Sequence, residues 1–477
     1  MKGMFMLIAR KKERELLISA LKADESQFIA VFGRRRVGKT YLIREALAGS
    51  FAFQHTGYAN TGTKGQLFAF AASLKEYGLQ DFNSPSNWLE AFELLKDLIR
   101  KSGNDRKVIF IDELSWMDSG RSDLMPALEG FWNGWASARK DIVLIVCGSA
   151  TSWMLSKVVH NKGGLYNRLT AQINLMPFTL AECAEYAASR GIVMTHHQLL
   201  ECYMVMGGVP YYWSFLRKEL SLSQNVDRIF FADDAPLKDE FRYLFRSLFK
   251  RPDVYVAIIE ALGTKKAGMV RTELLEATGL TNSGGFTSKL EELEQCGFIR
   301  KYREYGKERK NAVYQLIDSF TLFHYKFLEK RPTDEHYWSN QENTPARNAW
   351  CGIAFERVCL QHICEMKKAL GISGVLTNVS TWSCAADPER GISGSQIDLL
   401  IDRRDQVINL CEMKYSTQEY SITKEVDASV RHKINDFRFV TGTKSAIHVT
   451  FVTPYGLAQN SYAGNVQSEI TADDFFA

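Results

Sequence analysis

An apolar run, Phe28-Ile29-Ala30-Val31-Phe32, opens into Gly33-Arg34-Arg35-Arg36-Val37-Gly38-Lys39-Thr40, after which Tyr41 to Leu47 take up helical spacing. No other stretch restricts the fold as much. Strand, glycine-rich turn and helix are the context in which G-x-x-x-x-G-K-[ST] forms a phosphate-binding loop. The glycines let the backbone curl so that its N–H groups and the helix N-terminus face the phosphates. Lys39 would reach the β- and γ-phosphates, and the Thr40 hydroxyl would ligate Mg²⁺. The bland alternative is a Gly- and Arg-rich surface turn. Pattern and context together favour the phosphate loop, so the chain is expected to bind a nucleoside triphosphate.

A loop of this kind implies a parallel sheet, and two further runs supply it. Val108-Ile109-Phe110-Ile111 ends in Asp112-Glu113, and Ile142 to Cys147 ends in Gly148-Ser149. Continuous apolar runs of this length are strands buried on both faces. The acidic pair falls at the C-terminal end of its strand, where open α/β sheets place ligand chemistry. Asp112 would hold Mg²⁺ through water and Glu113 would polarise the attacking water. With the third strand lying between the other two, Ser149 would reach the γ-phosphate or the water; a helix N-cap is its competing role. Arg168, before the strand-like Ile173-Asn174-Leu175, would neutralise γ-phosphate charge in cis or in trans, with a salt-bridged surface residue as the alternative. Residues 51–107 read as polar and partly helical, ending in a turn at Gly103-Asn104-Asp105.

The 477 residues suffice for about three domains. A hydrophobic share of 45% with 24% charged residues excludes a disordered chain. The net charge of +4 neither demands nor excludes nucleic acid. Nine cysteines without C-x-x-C pairs suggest neither a disulfide framework nor zinc, and a reducing cytosol fits best. With no signal-peptide order at the N-terminus and no apolar run long enough to span a bilayer, the expected location is the cytoplasm, away from membranes.

Helical patterning over 180–217 breaks at Gly207-Gly208-Val209-Pro210, a turn that would close over a purine ring or simply join two helices. Residues 251–317 read as three helices followed by a two-stranded ribbon, Phe298 to Tyr302 and Ala312 to Leu316, which is a winged-helix layout. Lys289, Arg300, Lys301, Arg303, Lys307, Arg309 and Lys310 make the ribbon basic, which permits contact with DNA phosphates; a protein spacer is the rival reading. Residues 331–349 are polar and read as a linker.

Beyond it comes a helix around Gly352 to Leu360 in which Glu356 interrupts an apolar face. A hairpin then follows, Gln396 to Asp402 and Val407 to Lys414, turning at Arg403-Arg404-Asp405. Glu412 and Lys414 are two apart on one strand and share a face, where Asp398 of the partner strand can meet them. Carboxylates holding Mg²⁺ beside an ammonium that orients water suit a metal-dependent phosphodiesterase, with Glu356 as a third carboxylate. The alternative is an exposed ion pair.

Gly-Arg-Arg-Arg-Val-Gly-Lys-Thr, Ile-Asp-Glu-Leu, Cys-Gly-Ser-Ala and Gly-Gly-Val-Pro-Tyr-Tyr resemble the archaeal-type AAA ATPases, a P-loop group related to the STAND and origin-recognition ATPases, over about residues 8 to 330. Glu356, Asp398 and Glu412-Met413-Lys414 resemble the PD-(D/E)xK nuclease-fold domain often attached to them, with Gln396-Ile397 where the family's Pro usually precedes the first acid. The resemblance implies Walker A roles for Gly38, Lys39 and Thr40, Walker B roles for Asp112 and Glu113, a sensor role for Ser149 and a lid contact near adenine for Pro210. It also implies metal-ligand roles for Asp398 and Glu412 and a catalytic role for Lys414.

The expected architecture is α/β: a P-loop core with a parallel sheet (1–180), a helical lid (181–245), a winged helix (246–318), a linker (319–349) and a restriction-endonuclease-like domain (350–477). The expected function is Mg²⁺-dependent ATP hydrolysis coupled through the winged helix to a nuclease-fold domain acting on DNA. Its rival is an ATP switch whose nuclease-like domain docks nucleic acid or protein without cutting. An oligomer remains open.

Overall fold

The computed structural model describes residues 8–103, 106–120, 122–249, 251–307, 312–330 and 332–477. The Asn104-Asp105 turn, Arg309 and Lys310 of the basic ribbon, and Arg331 lie outside them. The chain divides into two compact units. One runs to Met176 and takes back Leu244–Lys250, and the other comprises Pro177–Tyr243 and Arg251–Ala477.

The first unit is built on five parallel strands: β1 (Gln27–Phe32), β2 (Phe51–Thr56), β3 (Lys107–Asp112), β4 (Ile142–Gly148) and β5 (Ala171–Asn174), ordered β2-β3-β4-β1-β5. β3 and β4 are buried along their whole length. Their side chains alternate between two cores, as the period of two in a strand requires. Phe28, Ala30, Ile109, Ile111, Leu144 and Val146 face one core with α3 (Thr63–Glu76) and α4 (Trp88–Lys101). Ile29, Val31, Val108, Phe110, Val143 and Ile145 face the other, with Leu17 of α1 (Lys11–Lys22) and Leu42 and Ile43 of α2 (Lys39–Ala46). Helices on both faces explain why the strand sequences are apolar throughout. β2, inside a segment whose sequence reads as polar and partly helical, is a sheet edge. Its Gln54 and Thr56 are only half-buried, so no apolar run marks it.

The second unit begins with α5 (Leu180–Ser189) and α6 (His196–Met206), each opened by a threonine whose side chain caps the third helical residue. Then come α7 (Pro252–Gly263), α8 (Arg271–Thr278) and α9 (Gly284–Gln295), with the short β6 (Met269–Val270) and the ribbon β7 (Ile299–Glu304) and β8 (Val313–Leu316). Within the polar stretch 332–349, Trp338 and Arg347 are buried while most of their neighbours are exposed. In the helix Tyr337–Asn340, Trp338 is buried edge-on against Phe327 and Trp350, and its backbone N–H donates to Asp227.

The C-terminal part runs α10 (Pro345–Gln361), β9 (Thr377–Cys384), β10 (Ser395–Arg403), β11 (Val407–Met413), α11 (Lys424–Thr441), β12 (Ala446–Val452) and β13 (Ser468–Ile470). β9, β10 and β11 are antiparallel, while β12 joins β11 in parallel and β13 joins β12. The ribbon does not stand apart: β7 pairs in parallel with β9 at Arg303–Ser380 and Glu304–Thr381. One eight-stranded sheet, ordered β13-β12-β11-β10-β9-β7-β8-β6, therefore carries both. Among the described residues no helix is long and apolar enough to cross a membrane.

Candidate nucleotide site and C-terminal carboxylate face

The turn after β1 depends on its glycines at two positions. Gly33 has φ +135°, and a Cβ there would lie 2.4 Å from the Leu175 carbonyl oxygen. Gly38, at φ +92°, caps α2 and leaves the helix N-terminus open. Between them Arg34 and Val37 are buried, whereas Arg35 is exposed and Arg36 turns through φ +71°. The buried Lys39 ammonium bends back across the turn and donates to the carbonyls of Gly33 and Arg34, each at 2.9 Å.

β4 lies between β1 and β3, so the ends of all three strands converge on this turn. Thr40 Oγ1 donates to Asp112 Oδ2 at 2.7 Å, and Asp112 is buried. Glu113 sits in the left-handed region at φ +48°, and its Oε2 accepts from Ser149 Oγ at 2.9 Å and Ser149 N at 3.2 Å. The Ser149 hydroxyl thus holds the glutamate instead of capping a helix; the following short helix begins after Ala150 with no side-chain cap. Arg168 is exposed in the turn before β5. Pro210 belongs to the other unit, at the first position of the helix Pro210–Trp213. Its turn is tightly built: the Phe178 N–H donates to the Gly208 carbonyl at 2.6 Å, and a Cβ on Gly208 would overlap the Phe178 carbonyl.

Sequence patterning missed Arg10. Buried, at φ +59°, it donates through Nη2 to the carbonyls of Val37 at 3.4 Å and Met176 at 2.5 Å, tying the chain before α1 to the phosphate-loop turn. No motif marks it, because only the fold brings it to a turn 27 residues ahead.

In the second unit, Leu399 pairs with Cys411. Asp398 and Glu412 are the residues next beyond this pair on their strands, and β10 shifts register against β9 between Ile397 and Leu400. Asp398 is half-buried and accepts from Gln396 Nε2 at 2.7 Å. Glu412, 6% exposed, pairs with Lys433 and lies 3.6 Å from Lys414. Glu356, on α10, is held by two cations: Arg357 Nη1 and Lys266 Nζ, both at 2.6 Å. The Lys266 carbonyl accepts in turn from Arg357 Nη2 at 2.5 Å and Gln315 Nε2 at 2.7 Å. Glu356 therefore joins α10 to the loop before β6, and among the described residues no three His, Cys, Asp or Glu side chains gather as a metal site. Lys266, Arg357, Gln315 and Lys433 carry no motif; they become visible only once the ribbon and the C-terminal strands share a sheet.

Residues 7–215 match the family described as an ATPase domain predominantly from Archaea. An uncharacterised protein of Methanocaldococcus jannaschii is 24% identical over 426 residues, covering 86% of this chain and 88% of that protein. Among solved structures the chain is similar to a Walker-type ATPase of Pyrococcus abyssi, with 18% identity, 66% of this chain and 95% of that chain covered, and a TM-score of 0.47. It is also similar to the ORC2 protein of Aeropyrum pernix solved as ADPNP–ADP complexes, with 14% identity, 74% and 94% covered, and a TM-score of 0.42. The chain carries, in residues 7–215, an ATPase domain of the archaeal type.

Proposed function

We propose that the chain is a Mg²⁺-dependent ATP hydrolase in which Lys39 holds the β/γ-phosphates, Asp112 and Thr40 hold the ion, and Glu113 activates water. The observation that carries this reading is the convergence of an open helix N-terminus, the Thr40–Asp112 pair and the Ser149-held Glu113 at the ends of three adjacent parallel strands. The donor chemistry fits the ion: a hydroxyl and a carboxylate, both oxygen, are what Mg²⁺ prefers. When bound, Mg²⁺ supplies neutralisation of phosphate charge; the rest falls to the chain. The Lys39 ammonium, now satisfied by two carbonyls, transfers to phosphate oxygens. Glu113 leaves Ser149 to accept a proton from water, and Ser149 is then free to orient that water. Arg168, exposed in the turn before β5, lies where Thr170 bonds to Phe28 at the start of β1, the end of the sheet opposite the phosphate loop, so its charge would serve the γ-phosphate of a neighbouring copy.

We further propose that residues 251–317 form a winged helix and residues 350–477 a PD-(D/E)xK nuclease-like domain acting on DNA. The succession of α10, a further helix Ile363–Ala369, the three antiparallel strands β9 to β11, α11 and the parallel β12 supports it, as does Glu412 beside Lys414 on the strand paired with that of Asp398. Asp398 and Glu412 offer oxygen donors for a divalent ion. One observation favours the second reading, a docking domain that does not cut: Glu356 is committed to Lys266 and Arg357.

The decisive experiment measures ATP hydrolysis and cleavage of single- and double-stranded DNA and RNA with Mg²⁺ or Mn²⁺, for the wild type, Lys39→Ala and Lys414→Ala. Hydrolysis abolished by Lys39→Ala is expected; hydrolysis that persists in that variant defeats the nucleotide-site assignment. Cutting that requires Lys414 establishes the nuclease, and binding without cutting establishes the docking domain.

A further inference from the structure

Where β7 meets β9, a pocket of about 290 Å³ opens on one face of the eight-stranded sheet. Arg300 and Tyr302 of β7, Thr381 and Ser383 of β9, and Gln396 and Asp398 of β10 line it. Two ion pairs at its rim neutralise themselves: Lys265 with Glu273 at 2.7 Å, and Lys307 with Glu304. What remains is one guanidinium and one carboxylate, Arg300 and Asp398.

Arg300 is held rigidly but incompletely. Its guanidinium lies 4.4 Å from the Tyr302 ring centroid, and its Nε donates to Gln315 Oε1 at 2.6 Å. Its Nη2 is buried and meets no acceptor among the described residues. Glu356, the nearest candidate counter-charge on α10, is already matched by Lys266 and Arg357. Burial pulls the Arg300 guanidinium down to about 10, against the opposing pull of Tyr302, Glu356 and Asp398. A buried guanidinium N–H without an acceptor is costly, and an oriented arginine fork is the side chain best suited to phosphate oxygens.

We propose that Arg300 is the phosphate-binding residue of a nucleic-acid site shared by the β7–β8 ribbon and the C-terminal sheet, gripping a backbone phosphodiester beside Asp398. This rests on the reading of the C-terminal domain as one that engages nucleic acid. It differs from a winged helix that reads DNA through a helix in the groove: here a ribbon strand faces inward to the carboxylates. Ser383, Thr381 and Gln396 add neutral hydrogen-bonding groups along the same face.

The test is fluorescence-anisotropy titration of the full chain with a labelled DNA duplex and its single strand, in EDTA so that no cutting intervenes, across a range of KCl. Arg300→Gln is expected to weaken binding about tenfold or more and to reduce the slope of log affinity against log salt by about 1. Arg300→Lys, which keeps the charge and loses the fork, is expected to weaken binding while retaining the slope. The exposed Lys368→Ala serves as control and should leave binding unchanged. Wild-type binding with both Arg300 variants indifferent overturns this proposal alone. A wild type that binds neither strand form overturns the nucleic-acid reading as well. If Arg300→Gln does not melt cooperatively, Arg300→Lys decides by the same criterion. Displacement of the oligonucleotide by inorganic phosphate at constant ionic strength assigns the pocket to a free anion, which also overturns the proposal.

Discussion

Gly33 and Glu113 are the residues at which backbone conformation and chemistry are most tightly joined. At Gly33 the left-handed φ and the Leu175 carbonyl leave no room for a methyl group. Gly33→Ala is therefore expected to lower the thermal midpoint and abolish nucleotide binding together, as differential scanning fluorimetry with and without ATP would show; retention of the ligand-induced shift would contradict it. Glu113 is held away from other work by Ser149. Removing a general base typically costs roughly 10²–10⁴-fold in rate. Glu113→Gln should accordingly bind ATP normally while hydrolysis falls by about that factor, and an equal loss of binding would mean that the residue shapes the pocket instead.

The junction of α10, the loop before β6 and the β7–β8 ribbon is an element-scale device. Glu356, Arg357 and Lys266 form a triad in which both the glutamate and the arginine are buried, while Lys266 is half-exposed. Breaking a buried ion pair from one side costs about 3–5 kcal/mol because a charge is left uncompensated. Glu356→Ala should therefore destabilise the second unit by an amount near that range in urea unfolding, whereas Lys266→Ala should cost much less, because Glu356 keeps the buried Arg357 and the half-exposed Lys266 adds little to the pairing. Equal effects of the two variants would show that the triad does not hold the junction. A metal-ligand role alone would make Glu356→Ala neutral or stabilising without added ion, as it relieves repulsion between carboxylates.

At the scale of the molecule, pH dependence should register the first unit's core. His55 is buried on β2 among Phe53 and Phe70, with its Nδ1 on Ser73, and burial depresses its pKa to about 4. A histidine depressed in the folded state contributes its full stability above the ordinary value of 6.5 and loses it as pH falls towards 4, because the unfolded chain takes up the proton first. The span corresponds to about 3 kcal/mol. His55→Gln removes the titration. The stability difference between wild type and variant should then shrink on acidification from neutral pH to about 4, and a difference constant with pH would show that His55 titrates normally.

The phosphate loop, the three apolar strands and the hairpin of the second unit were legible in order, because each is a local pattern: a turn with obligatory glycines, runs buried on both faces, and two strands joined by a short polar turn. Asp112, Glu113 and Ser149 could be placed at strand ends for the same reason. Local pattern did not disclose β2, an edge strand with a mixed sequence, nor the burial of Trp338 inside a polar stretch. Neither could it give the hydrogen bond from Ser149 to Glu113, Arg10 under the phosphate loop, or Lys266 and Arg357 on Glu356. Those depend on which distant segments become neighbours. Chain order alone thus determined a nucleotide-binding parallel sheet and a carboxylate-bearing hairpin. The tertiary structure decided how their charges are matched, since the parallel pairing of β7 with β9 brings Arg300 and Lys266 to acids about a hundred or fewer residues away, a contact whose loop-closure cost no local preference encodes.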